Sequence, residues 1–190
     1  MAWKLVPVGQ NGTITFMKKN IFLTGAPSSG KTTTIKKVIK ILTVPVTGFY
    51  TEEERREGKR VGFVLNSLDG HKGYLAHQDI RSDLHIRRYG VSIENIESIA
   101  VPSITPVSGQ IIILDEIGKM ECFSEVFRQA ALKALDSPSI VIGTITLGGA
   151  EFIATVKTRE DMEILEVTPD NRDALPQVIV RKIEELLRII

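Results

Sequence analysis

Asn20-Ile-Phe-Leu-Thr24 runs directly into Gly25-Ala26-Pro27-Ser28-Ser29-Gly30-Lys31-Thr32-Thr33, and this stretch decides the fold. A short apolar strand, a G-x-x-x-x-G-K-[ST] loop and then a helical stripe at Ile35, Val38, Ile39 and Leu42 follow in order. That setting makes the pattern a phosphate site rather than a glycine-rich turn. Glycines at both ends let the backbone curl so that successive N–H groups converge on a polyanion, and the helix aims its positive end at the same point. Residues 25–33 are therefore the expected phosphate-binding segment. Within it Lys31 is expected to reach the β- and γ-phosphates, and the Thr32 hydroxyl to ligate Mg²⁺.

Far along the chain, Gln110-Ile-Ile-Ile-Leu114 ends in Asp115-Glu116. A continuous β-branched run reads as a strand buried on both faces of a parallel sheet. Its end places Asp115 at the carboxyl edge, where open α/β sheets bind ligands. An acid there holds Mg²⁺ through its water shell, and a neighbouring carboxylate can take a proton from an attacking water. Taken alone, the two acids are as readily a solvated strand end. The phosphate loop upstream decides for chemistry.

Composition bounds the rest. The chain has 190 residues and is 43% apolar, enough for a full core in one domain and incompatible with disorder. Its 24 basic and 23 acidic residues leave a net charge of +1, which favours neither a nucleic-acid-coating surface nor an acidic tail. One cysteine, Cys122, excludes a disulfide framework and a cysteine zinc site. A reducing cytoplasm is the expected setting. No apolar stretch approaches the roughly 18 residues that span a bilayer, and Met1 to Phe16 lacks the pattern of a signal peptide. Residues 1–16, with Pro7, Gly9, Asn11 and Gly12, read as an N-terminal extension or leader, either upstream sequence or a small β-arm. Met17-Lys18-Lys19-Asn20 reads as a second start, and residues 17–190 as one domain.

Pro45 stops the first helix, and Val46 to Thr51 resumes as a strand. Glu52 to Arg60 is expected as a charged turn, Val61 to Asn66 as a strand, Ser67-Leu-Asp69-Gly70 as a hairpin turn and His71 to His77 as the returning strand. Residues 48–77 thus form an antiparallel insertion. Ile93, Ile96, Ile99 and Ala100 have helical spacing, which Pro102 is expected to end. Ser124 is the expected N-cap of a helix turning Val126, Phe127, Ala130, Ala131, Ala134 and Leu135 inward, with Pro138 closing it. Strands follow at Ser139 to Thr144 and Met162 to Val167. A last helix from near Pro176 buries Ile179, Ile183, Leu186 and Leu187. Such alternation argues for a mostly parallel sheet.

Several strings come in a recognisable order: the 25–32 loop, Gly48-Phe-Tyr-Thr51, Arg60-Val-Gly-Phe63, Ser67-Leu-Asp-Gly70 and Arg88-Tyr-Gly-Val91. Leu114-Asp-Glu-Ile-Gly-Lys-Met-Glu121 and Asn171-Arg-Asp173 complete the series. From about Met17 onward the chain resembles the thermophile-type nucleoside-triphosphatases, relatives of the cancer-related nucleoside-triphosphatase. The resemblance implies an α/β P-loop NTPase fold, a three-layer sandwich with a β-rich insertion. It also implies slow, Mg²⁺-dependent hydrolysis of nucleoside triphosphates to diphosphates with broad base tolerance. Two departures stand out. The stretch from Ile99 to Gln110 is shorter than the family pattern, and Thr146-Leu-Gly-Gly149 stands where the family often shows a His.

In this reading Glu116 orients and deprotonates the attacking water, and Lys119 is either a γ-phosphate contact or a solvated turn residue. An arginine finger would contribute 10³ to 10⁵ in rate. Candidates are Arg55, Arg56, Arg60, Arg87, Arg88 and Arg172, of which Arg172, after the last strand, is preferred as the catalytic arginine. Alternatively, Asn171 and Arg172 meet the base; Asn171-Arg-Asp173 is not the guanine signature of G proteins. His71, His77 and His85 lack metal-ligand spacing and are expected to face solvent or lie in turns. Phe49, Tyr50 and Tyr74 are expected in packing rather than on a base. Two rivals remain: a P-loop kinase for a small acceptor, disfavoured by Glu116, and a slow nucleotide switch with a protein partner. A nucleic-acid partner has no basic stripe to support it.

Overall fold

In the computed structural model, residues 17–149 and 151–189 are described, together with the backbone of residues 6–7 and 14–15. Those two pairs form a short antiparallel ladder, β1 (Val6–Pro7) and β2 (Ile14–Thr15), with Val6 opposite Thr15. The remainder of the proposed leader lies outside the described residues.

A nine-stranded sheet carries the molecule, in the order β11-β3-β10-β9-β4-β5-β6-β8-β7. Its parallel half comprises β11 (Met162–Glu166), β3 (Asn20–Thr24), β10 (Val141–Ile145), β9 (Ile111–Ile117) and β4 (Val46–Arg56). β3, β10 and β9 are runs of five to seven residues covered on both faces, which is why they read as largely apolar strings, whereas the edge strand β11 is only partly buried. The antiparallel half adds β5 (Lys59–Ser67), β6 (Lys72–His77), β7 (His85–Ile86) and β8 (Tyr89–Val91).

Period-two alternation sorts the side chains into two cores. Ile21, Leu23, Ile111 and Ile113 face α1 (Lys31–Ile41) and α6 (Leu175–Leu187), where Ile35, Val38, Ile179 and Ile183 close the layer. On the other face, Phe22, Phe49, Ile112 and Leu114 meet α4 (Glu125–Asp136) and α5 (Glu151–Lys157) through Phe127, Ala131, Ile153 and Val156. The same layer holds a composite helix, α2 (Ile93–Asn95), a π-helical turn Ile96–Ala100 and α3 (Val101–Ser103). Helices thus cover both faces, giving the expected three layers.

Five local expectations are corrected. Glu52 to Arg60 is not a charged turn: β4 and β5 run through it, and only Glu57 and Gly58, both at positive φ, make the bend. Cross-strand and next-neighbour pairs such as Arg60 with Glu53 let the charges sit on strands. The antiparallel segment does not end at His77 but continues through β7 and β8 to Val91. Pro102 lies inside the last helical turn, one residue before its end, directly after the π-helical turn in which the Val101 N–H bonds the Ile96 carbonyl and the regular i→i−4 ladder is already interrupted. Val126 is 49% exposed, while Leu187 is also exposed, so the buried stripes of α4 and α6 are narrower than expected. His77 is buried at 3% exposure, packed beside Tyr74 with its Nε2 3.5 Å from Glu54 Oε2. Short strands β7 and β8 and helix α5 had no periodic signature long enough to show in the sequence.

Candidate active site

The phosphate loop joins the end of β3 to α1. Gly25 takes φ 138° and Gly30 φ 103°, values that a side chain resists, and Ser28 also turns left-handed at φ 62°. A Cβ on Gly25 would stand 2.8 Å from the Val167 carbonyl oxygen, so the loop presses against the chain leaving β11. Helix α1 starts at Gly30 with no side-chain cap and no acid in its first turn. By contrast, the Ser124 hydroxyl accepts from the Phe127 N–H at the start of α4. Uncapped N–H groups at the head of α1 are free for an anion. Lys31 Nζ donates to the carbonyls of Gly25 (3.0 Å) and Ala26 (3.2 Å), bonds that a phosphate would replace.

Strand β9 delivers the acids. Asp115 is 1% exposed, and burial raises its pKa above the ordinary carboxylate value. The Thr144 hydroxyl, the Thr32 hydroxyl, the Lys31 charge and the Thr51 N–H all pull the other way, favouring the anion. Thr144 donates to Oδ1, whereas Oδ2 is buried without a well-formed hydrogen bond. Glu116 is raised as well, by burial and then by Asp115, with Lys31 opposing. Thus Lys31 and Thr32, at their nearest 83 positions from Asp115 in sequence, meet Asp115 and Glu116 at one edge of the sheet.

Strand order explains how. β10 lies between β3 and β9, so Thr144 on β10 is the neighbour of Asp115, and Thr146 follows with its N–H on the Ile117 carbonyl (3.3 Å). Neither Thr144 nor Thr51 was singled out from the sequence, because a hydroxyl inside an apolar strand and a backbone N–H carry no motif. Glu121, the last residue of the Leu114–Glu121 string, is buried beside Glu116.

The arginines separate clearly. Arg55 and Arg60 bond Glu53, Arg56 bonds Glu54, and Arg88 donates to the Arg60 carbonyl and the Tyr89 hydroxyl. Arg87 is exposed in a turn. Arg172 reaches the phosphate loop: its Cδ lies 3.8 Å from where a Gly30 Cβ would be. Asn171 is consumed locally, accepting from the Thr168 N–H (2.9 Å) and donating to the Glu166 carbonyl (2.8 Å). Lys119 is exposed in the turn after β9.

Hard oxygen donors and an unpartnered buried carboxylate oxygen beside the Thr32 hydroxyl fit Mg²⁺, which takes few protein ligands and shares the rest with phosphates and water. No group of three or more His, Cys, Asp or Glu among the described residues could cage a metal by itself.

Residues 20–180 match the sequence profile of the family described as NTPase. The chain belongs to the NTPase family. Similar members include nucleoside-triphosphatase THEP1 of Thermotoga sp. strain RQ2, 41% identical over 157 residues, spanning 82% of this chain and 90% of that protein. The human cancer-related nucleoside-triphosphatase is 36% identical over 182 residues, spanning 86% and 96%. Among solved structures, the crystal structure of THEP1 from Aquifex aeolicus superposes with a TM-score of 0.78 at 31% identity, covering 85% of this chain and 97% of that one. The fold of the NTPase family is therefore shared along most of the chain. No helix among the described residues is long and apolar enough to cross a membrane.

Proposed function

We propose that this member of the NTPase family hydrolyses nucleoside triphosphates to diphosphate and phosphate, with Mg²⁺, broad base tolerance and a cytoplasmic setting. The observation that carries the reading is Glu116, a part-buried carboxylate standing next to Asp115 and within the field of Lys31. A kinase must keep water from the γ-phosphate, and a base placed there would waste its substrate. When bound, Mg²⁺ would neutralise charge on the β- and γ-phosphates. Thr32 and Asp115 are the residues that would hold it. Residues 25–33 wrap the phosphates with backbone N–H groups, Lys31 leaves its two carbonyls for phosphate oxygens, and Glu116 orients the water and accepts its proton.

Arg172 fits the nucleoside side of the site better than the role of finger. β11 lies on the far side of β3 from β9, about 14 Å from the acid strand at ordinary strand spacing. A guanidinium stacked on a base reads its π-face and not its hydrogen-bonding edge, which suits broad tolerance.

The test is phosphate release from ATP, GTP, CTP and UTP with Mg²⁺ and no acceptor. Release abolished by Lys31→Ala, and cut by about 10² or more by Glu116→Gln with binding retained, is the expected result. Binding without release in the unaltered chain would point instead to a kinase or a switch.

A further inference from the structure

After β9 the chain turns back on itself. The Cys122 N–H bonds the Gly118 carbonyl (3.1 Å), and the Phe123 N–H bonds that of Met120 (3.2 Å), forming the 3-10 turn Glu121–Phe123. This reversal lays the Glu121 side chain over Gly118. A Cβ on Gly118 would stand 2.7 Å from Glu121 Oε2, 2.9 Å from Glu116 Oε1 and 3.0 Å from Glu116 Cγ. Both carboxyl groups therefore rest on the same bare Cα, and a single methyl group there would displace them both.

We propose that Glu121 is a positioning residue for Glu116, its carboxyl group seated on Gly118 and fixing the direction in which the Glu116 carboxylate faces the attacking water. The inference rests on the reading of Glu116 as the base. Glu121 is buried, and its carboxyl takes hydrogen bonds from the backbone N–H of Glu121 and Gly118. Arg128, on the helix that follows, is spent on the Cys122 carbonyl and on Glu125. A buried acid with no cation is stable only as the neutral form, and burial together with Glu116 pushes Glu121 well above the ordinary carboxylate value. A neutral carboxyl has one O–H to donate. The Glu116 carboxylate across Gly118 is the acceptor that this O–H meets. Held so, Glu116 presents its other oxygen to the site.

A loop brace alone would explain the bonds to the Gly118 and Glu121 N–H groups, so the experiment must separate bracing from positioning. Steady-state kinetics and thermal unfolding of the full chain are compared for Glu121→Met, Glu121→Gln, Glu116→Gln and the Glu121→Met/Glu116→Gln double variant. Expected are a fall in kcat of about 10²-fold in Glu121→Met with KM within twofold, and recovery of most of that loss in Glu121→Gln, which keeps a donor. The double variant is expected to be no worse than Glu116→Gln, since residues that act as a unit are not additive. Should Glu121→Met fail to fold, Gly118→Ala presses on both carboxyls from the backbone and is expected to lower kcat selectively. An unchanged kcat in Glu121→Met, or a loss that multiplies with that of Glu116→Gln, overturns the proposal while leaving Glu116 as the base. Full activity in Glu116→Gln overturns both.

Discussion

Thr144 shows how much of this site depends on groups with no motif. Its hydroxyl donates to Asp115 Oδ1 in a place closed to water, where a hydrogen bond to a charged group contributes about 1.5–3 kcal/mol. Thr144→Val keeps the shape and removes the donor. The bond lowers the Asp115 pKa, so its loss raises it, and the acid limb of kcat/KM is expected to move to higher pH. A pH–rate profile from 5 to 9 checks this, with a loss of about 10–100-fold at neutral pH. An acid limb that stays in place would remove Thr144 from the site. Cys122 gives a second expectation. Burial, with Glu121 beside it, pushes the thiol up to about 12, so alkylation by iodoacetamide at pH 8 is expected only after unfolding. At this scale the sequence was legible where a residue type is obligatory, as at Lys31, Thr32, Asp115 and Glu116. It was silent where a partner is supplied by the fold, as at Thr144, Thr51 and Glu121.

Elements were legible in proportion to their periodicity. The buried strands β3, β9 and β10, the edge strand β11 and helices α1, α4 and α6 stand in the sequence nearly at their observed bounds. Charge misled the reading of Glu52 to Arg60, because a strand that overhangs its sheet can pair its acids and bases across the ladder. Gly48 marks a constraint of another kind. It takes φ 117° in mid-strand, and a Cβ would fall 1.9 Å from the Ile113 carbonyl oxygen, so β4 and β9 meet there closer than any side chain permits. Gly48→Ala is expected to cost about 3 kcal/mol, read as a fall in urea midpoint. Ser124→Ala should cost about 1 kcal/mol by uncapping α4. The ratio of the two, more than either value, distinguishes a pinched sheet from an ordinary helix start.

Across the whole molecule, Lys19 ties together parts that are far apart in sequence. It donates to the Leu135 carbonyl at the end of α4, while Asn20 bonds that carbonyl (3.2 Å) and Asp161 (2.9 Å). Burial, outweighing the pull of Asp161, lowers the Lys19 pKa to about 8. An unfolded lysine keeps its proton to about 10.4, so between these values the unfolded state binds more protons and stability rises with pH. Urea midpoints at pH 7.5 and 9.5 are expected to show that gain in the unaltered chain and to lose it in Lys19→Met. The overall class, a mostly parallel sheet between two helical layers, followed from strand–helix alternation. The extent of the antiparallel half did not, because two- and three-residue strands carry too few side chains to show a period.

The interposition of β10 between β3 and β9 also has a consequence for how the protein is born. Synthesis delivers the phosphate loop first and the two acids about 85 residues later, but the strand that seats them side by side emerges only with residues 141–145. Until then β3 and β9 have no ladder in common, and the nascent chain holds the pieces of a nucleotide site without the site. The onset of phosphate release in a refolding experiment is then expected to report the insertion of β10 between β3 and β9 rather than collapse.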